Sequence, residues 1–471
     1  MNYPFWEVPF IGSGWVIGII AIFHVMISQF AVGGGLWLPM AERKALREGR
    51  QDWREQLQKH SRFFLIITGV FGTVSGVGIW FAIGLTQPEA TSTLIHNFVF
   101  GWAMEWAFFL VELTTLAVYY YTWERIPARL HLRIGWLYAG TSLFTLIIIN
   151  GILTFMLTPG AAWLSVAGTG AESSRFWNAF FNPTYWPSLA MRTLVCISLA
   201  GIWALVTGSR IDAEKQPELK SSYLRWTTMW LVPSFVLMPL SLGWYLLEVP
   251  QSQRALLSLG ISTIGSGTFS QVTRIVLVMI ITSATIIFVT YYLAYRNPKD
   301  FSLAHASALV LLALMATGSG EEARELLRKP YVIGGHMYSN GMRVRDVAAA
   351  NKNGYLRDNA WMGSSPDDHW VRGELMYRGQ CGSCHTLTGY RSLDKLMAGR
   401  DRESVGSFLT MLHEYKPDLA YRKFMPPLTG TPEEINALGD YLYSQANPGP
   451  ATRSSDNRLA AKTSSANTST H

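Results

Sequence analysis

Seven stretches of this chain are apolar for at least the roughly 20 residues that a helix needs to cross a bilayer. They run over about 15–39, 63–85, 98–122, 134–157, 188–207, 226–247 and 273–294, and a shorter eighth covers about 302–318. Hydrocarbon offers no water to backbone amides, so segments of this length satisfy their own hydrogen bonds as helices. The expected fold is therefore all-α: a polytopic bundle of about eight transmembrane helices followed by a soluble part. Charged residues make up only 15% of the 471 residues, against about 25% in soluble domains. Three cysteines are too few for a disulfide scaffold. The formal charge of +7 does not point to nucleic acid, because the bases sit in short clusters between apolar runs.

Those clusters give an orientation. Arg43, Lys44, Arg47, Arg50, Arg54, Lys59 and Arg62 follow the first span, and Arg125, Arg129 and Arg133 follow the third. Arg210, Lys215, Lys220 and Arg225 follow the fifth, and Arg296 and Lys299 the seventh. The opposite loops hold only Arg175 and Arg254, and the first fourteen residues hold none. By the positive-inside rule the rich side is cytoplasmic, which places the N-terminus outside, and with eight spans the C-terminal part as well. The start lacks the basic region of a cleavable signal, so the first span is expected to remain. The expected location is a bacterial inner membrane, with the soluble part in the periplasm.

After Gly320 the sequence turns polar. Its one sharp motif is Cys381-Gly-Ser-Cys384-His385, the C-x-x-C-H pattern of covalent haem attachment. Two thiols at this spacing can add to two vinyl groups, and the adjoining imidazole reaches the iron. The plain alternatives are chance or half a zinc site, and no second C-x-x-C completes a tetrad. Haem is attached in this way on the outer side of a membrane, which requires the eighth span. Met425-Pro-Pro427 and the helical pattern Pro432–Leu442 follow. Together they resemble a class I cytochrome c, in which a thioether from a Pro-flanked loop is the second axial ligand. The resemblance implies His385 and Met425 as iron ligands, with Met397 and Met411 as competitors whose plain role is core packing. The expected division is a haem-binding membrane bundle over 1–320, an outer linker over 321–369, a cytochrome c domain over 370–447 and a disordered Ser/Thr/Asn-rich tail over 448–471.

Ionisable groups inside a membrane cost at least about 2.5 kcal/mol each and usually mark function. His24 lies roughly 13 Å into the first span at 1.5 Å per residue; it is a satisfied core residue or a haem ligand. Glu105 and Glu112 share the third span, seven residues and so about 10 Å apart on one face. They are two protonated hydrogen-bonding acids, or an iron ligand and a proton relay. Glu248 ends the sixth span, and Arg192 and Arg274 near the same boundary are candidate partners for haem propionates.

In their order and on their helices, these residues resemble subunit I of the cytochrome bd oxygen reductases over about residues 10–295. Phe23-His24-Val25 matches the helix carrying the active-site haem histidine, and Gly72-Thr-Val-Ser-Gly76 the Gly-rich second helix. Glu105 to Glu112, with Ala107-Phe-Phe-Leu110 between, resembles the helix of the two active-site glutamates. The pair stands one residue closer than in the family pattern, so which of them binds iron stays open. Gly243-Trp-Tyr-Leu-Leu-Glu248 resembles the segment that ligates the high-spin haem b, although Val249-Pro-Gln-Ser-Gln253 replaces the family's Gly-Arg-Gln-Pro-Trp.

Two departures stand out. After Phe181-Asn-Pro183, Met191 occupies the position of the low-spin haem histidine. A short basic loop also joins the fifth and sixth spans where quinol-oxidising members carry a long quinol-binding loop and two more helices. The resemblance thus implies a respiratory oxidoreductase with one covalent haem c and two non-covalent haems of b or d type, held by His24, Glu105 and Glu248. It would reduce O2, or NO, with electrons entering through its own c haem from a periplasmic cytochrome or redox complex rather than from quinol. A second membrane subunit is expected. A non-catalytic electron conduit is the alternative of a different class. Cys196, in an apolar span, is expected to be a small buried residue.

Overall fold

A computed structural model describes residues 3, 6–251, 253, 254, 262, 270–357, 368–417 and 420–447. The proposed tail, and part of the proposed linker, lie outside the described residues. Eight helices are long and apolar enough to cross a membrane: Ser13–Arg47, Gln51–Thr86, Val99–Tyr121, Ala128–Phe155, Tyr185–Ser209, Pro217–Glu248, Gln271–Arg296 and Leu303–Arg328. The eighth span continues ten residues past the apolar stretch that announces it, because Glu321, Arg324, Glu325 and Arg328 pair with one another along its last turns.

The chain forms two compact units. One comprises Gly18–Phe81 and Ser92–Lys329; the other comprises Met1–Ile17, Ala82–Thr91 and Pro330–His471. In the first unit the glycine run of the first span decides the packing. A Cβ on Gly33 would lie 1.9 Å from the carbonyl oxygen of Cys196, one on Gly34 2.4 Å from the Phe64 ring, and one on Gly35 2.2 Å from the Tyr138 ring. Successive helix positions point about 100° apart, so three adjacent glycines admit the fifth, second and fourth spans at backbone distance. Cys196 is buried in that contact, as its setting in the sequence implies. Towards the basic loops the bundle closes over Trp37, Trp53, Tyr223 and Trp226, whose rings meet edge-on or tilted.

The second span is interrupted by a π-turn over Leu65–Gly72, which shifts the register of the residues after it. Between the fourth and fifth spans, Asn182 donates to the carbonyl of Gly151 and to the Thr154 hydroxyl, pinning the Phe-Asn-Pro segment to the fourth span. The fifth and sixth spans are joined only by residues 210–216.

The other unit is built on helices His369–Met376, Arg402–Glu414 and Pro432–Ala446, with a small antiparallel ribbon of Tyr331–Ile333 and Met337–Tyr338. Gly373 sets the central crossing: a Cβ there would stand 2.3 Å from the Ala437 carbonyl oxygen. The last helix begins with a capping box, Thr431 accepting from the Glu434 amide while Glu434 accepts from that of Thr431. The Glu434 carboxylate also accepts from the amides of Tyr355 and Leu356, tying the segment before residue 358 to this helix.

Candidate functional site

In the membrane unit, His24 packs against the second span just beyond the π-turn. Its Nδ1 lies 3.0 Å from Ser75 Oγ, and that hydroxyl donates to the Phe71 carbonyl at 2.6 Å. With its proton committed there, Ser75 can only accept, so His24 carries its proton on Nδ1 and turns a lone pair outward on Nε2. An imidazole fixed through one nitrogen and free at the other is the arrangement expected of a haem ligand. The neighbouring Gly76 leaves the ring its room, since a Cβ there would lie 3.2 Å from His24 Cε1.

Glu112 is buried and accepts a hydrogen bond from the Thr145 hydroxyl of the fourth span. Glu105, two turns away on the same helix, is half-buried. Glu248 stands exposed at the end of the sixth span, and Arg274 is exposed at the start of the seventh. Arg192 differs from Arg274. It lines a cavity of about 260 Å³ whose wall is mainly apolar and includes Gln29, Met191, Met238, Tyr245 and Arg324. Within the bundle the Nε of Arg192 and the Oε1 of Gln29 are buried without a hydrogen-bond partner. A buried donor left unpaired costs about 1–3 kcal/mol, and a propionate oxygen would satisfy it. The residues present thus offer haem two separate points of attachment, the Nε2 lone pair of His24 and the unpaired Nε of Arg192; the Arg192 cavity is bordered by Val25 and Gln29 of the first span and not by His24. Met191 faces the same cavity as Arg192.

In the other unit His385 is also held through Nδ1, which lies 2.8 Å from the Arg391 carbonyl oxygen; a carbonyl only accepts, so Nδ1 carries the proton. The Cys381–His385 segment closes as a turn, with the amides of Cys384 and His385 both donating to the Cys381 carbonyl at 3.0 and 2.8 Å. Burial, with Cys384 beside it, pushes the Cys381 thiol up to about 12. Among the described residues no three His, Cys, Asp or Glu side chains gather as a metal cluster.

Met425 packs at the edge of this unit's core. Its carbonyl accepts from the Tyr415 hydroxyl at 2.9 Å. Its loop is joined to the residue before Cys381: the Gln380 amide donates to the Thr429 carbonyl, and the Thr429 amide donates back to Gln380 Oε1 at 2.8 Å. Met397 is 4% exposed within the core, which fits its packing role, while Met411 lies on the Arg402–Glu414 helix outside that core.

Sequence reasoning does not find Ser75, Thr145, Gln380 or Thr429. Ser75 had a faint signal, as one of two polar residues, with Thr73, between two glycines of an apolar span. A hydroxyl in a membrane helix more often bonds its own preceding turn, and only the neighbour in space distinguishes it.

The chain resembles known proteins in two ways. Residues 13–255 match the model of cytochrome bd terminal oxidase subunit I. The fold is similar to a solved structure described as bd oxidase from Geobacillus thermodenitrificans, with a TM-score of 0.59 at 16% identity, covering 69% of this chain and 88% of that one. A search of curated proteins finds no match. The matched residues include His24, Ser75, Glu105, Glu112, Met191, Arg192 and Glu248, and more than half of the sequence. The chain belongs to the cytochrome bd terminal oxidase subunit I family, oxidoreductases that bind b- and d-type haems and serve respiratory oxygen reduction.

Proposed function

We propose that this chain is a cytochrome c-fed oxygen reductase, in which the second unit is a class I cytochrome c that takes up electrons outside the membrane. The observation that carries electron entry by this route is the junction of Gln380 with Thr429. It clamps the loop of Met425 against the Cys381–His385 turn, as two axial ligands from separate segments require. Bound haems supply one-electron storage and, where an iron position stays open, oxygen binding and reduction.

The chain's own residues divide the remaining work. Cys381 and Cys384 tether one haem; His385 and Met425 hold its iron. His24, oriented by Ser75, is the first membrane ligand, and Glu105 and Glu248 complete the set. Arg192 neutralises a propionate. Glu112, kept in place by Thr145, holds and passes on a proton. The seven residues between the fifth and sixth spans leave no space for a long quinol-binding loop, which favours a cytochrome or another periplasmic redox complex as donor. A second membrane subunit accompanies the chain, as in bd oxidases.

The short connection over residues 210–216, which leaves no long quinol-binding loop, gives weight to a second reading, a non-catalytic electron conduit in which every iron is six-coordinate. Carbon monoxide separates the two. Reduced, purified protein should show a CO difference spectrum and consume oxygen with a reduced cytochrome c. A protein that binds no CO is a conduit. A pyridine haemochrome count fixes the number and type of haems in the same preparation.

A further inference from the structure

At the end of the membrane unit that carries the basic loops, three buried polar groups meet. Glu42 of the first span is 1% exposed, His131 of the fourth 3% and Tyr119 of the third 2%. His131 Nδ1 lies 2.8 Å from Glu42 Oε1, the Tyr119 hydroxyl donates to Glu42 Oε2 at 2.8 Å, and His131 Nε2 lies 2.8 Å from the Tyr119 carbonyl oxygen. A carbonyl accepts only, so Nε2 carries a proton. Glu42 Oε1 and His131 Nδ1 then share one further proton, either as carboxylate and imidazolium or as acid and neutral imidazole. Both forms of the pair are neutral, which is how burial tolerates it. Once that proton leaves, a lone pair faces a carboxylate at 2.8 Å, a repulsion relieved only by taking up another.

The surroundings lead towards Glu112. Glu105, Glu112 and Tyr119 recur every seven residues on the third span, and His131, Tyr138 and Thr145 do so on the fourth, so each set lies along one helix face. The two faces meet at Tyr119 with His131 and at Glu112 with Thr145, forming an antiparallel polar seam in an apolar bundle. Tyr138 lies between the rungs by register, and its hydroxyl donates to the Ala31 carbonyl of the first span at 3.2 Å. About 10 Å separates Tyr119 from Glu112 along the axis at 1.5 Å per residue; the Tyr119 hydroxyl meets Glu42 at one end of that interval and the Thr145 hydroxyl meets Glu112 at the other, with Tyr138 midway between His131 and Thr145 on the facing helix. The other groups about the pair are Arg54 of the second span, whose Nε is buried without a hydrogen-bond partner, and Trp123, whose ring meets His131 at 4.5 Å.

We propose that Glu42 and His131 form a proton-loading pair that supplies Glu112 along this seam. The Glu112 carboxylate gains one proton as the pair loses one, and the pair recovers it from water at the basic end. The proposal rests on the relay role of Glu112. The test is oxygen and proton uptake by the full chain in phosphatidylcholine liposomes, with haem content and CO spectrum as controls.

Glu42→Gln should keep its haems yet turn over at least tenfold slower at neutral pH, regain rate as the pH is lowered, and show a larger solvent deuterium effect. Glu42→Gln/Glu112→Gln should be no slower than Glu112→Gln alone, because both act on one path. Unchanged turnover in Glu42→Gln, or multiplied losses in the double variant, overturns the proposal. Should Glu42→Gln lose its haems, Tyr119→Phe, which keeps the His131 contact to the backbone, decides: a slowed, acid-rescued rate supports the pair and a normal rate refutes it. A wild-type protein that neither binds CO nor consumes oxygen instead refutes the oxygen-reductase reading.

Discussion

The Ser75 hydroxyl accepts a hydrogen bond from His24 Nδ1 at 3.0 Å while giving its own proton to the Phe71 carbonyl. One serine thereby fixes which nitrogen of a membrane imidazole can bind a metal. His24→Ala should lose one haem per chain from the membrane unit and leave the c-type spectrum intact. Ser75→Ala should retain that haem more weakly, in line with the 10–100-fold affinity losses seen when partners of ligating histidines are removed. Haem titration of detergent-extracted protein reads both. Full haem content in His24→Ala assigns the ligand elsewhere.

Met425→Ala should keep the covalent haem and lower its reduction potential, since loss of a thioether removes the ligand that raises it. Redox titration of the full chain at the c-band gives the answer. A potential equal to wild type makes Met397 or Met411 the ligand.

Glu112→Gln should slow turnover more than it changes haem content, by roughly 10²–10⁴-fold if proton transfer becomes limiting. Equal losses of rate and haem would make Glu112 a ligand. Thr145→Val removes only the hydroxyl that positions Glu112 and should give a smaller loss.

Gly373→Val places atoms into the Ala437 backbone, where a Cβ alone would stand 2.3 Å from the carbonyl oxygen. Overpacking of this kind costs about 1–3 kcal/mol. Thermal unfolding followed at the c-haem absorbance should shift down by several degrees, with the membrane haem spectrum unaffected.

Asp440 gives a pH dependence of known sign. Burial raises its carboxyl, but hydrogen bonds from Arg402 and His369 outweigh this and hold it below its ordinary 3.8. A carboxyl with a lowered folded value contributes stability that is complete above its unfolded value and disappears as the pH falls through the folded one. Acid titration of the full chain should show this loss below about pH 4, small because the pair is partly exposed and worth below about 1 kcal/mol. Asp440→Asn should flatten that part of the curve.

How much was legible beforehand follows from range. Transmembrane spans are local: each is a run of apolar residues with its own hydrogen bonds, so their number could be counted along the chain. Cys381, Cys384 and His385 were legible for the same reason, being adjacent in sequence. Sequence placed His24, Glu105 and Glu112 in apolar helices, where an ionisable group draws attention by its cost. It could not separate Arg192 from Arg274. Both are single arginines near the same boundary, and only packing turns one into a cavity wall and leaves the other exposed. Glu42 and His131 escaped notice because they sit beside basic loops, where charge is ordinary.

Apolar length and covalent-motif spacing by themselves determined that this chain is an all-helical membrane protein with a C-x-x-C-H segment beyond its last span. The tertiary structure decided which side chains meet. Ser75 with His24, Gln380 with Thr429 and Glu42 with His131 are 51, 49 and 89 residues apart. Hydrogen bonds act over about 3 Å, so such pairs exist only once helices from distant parts of the chain are packed side by side.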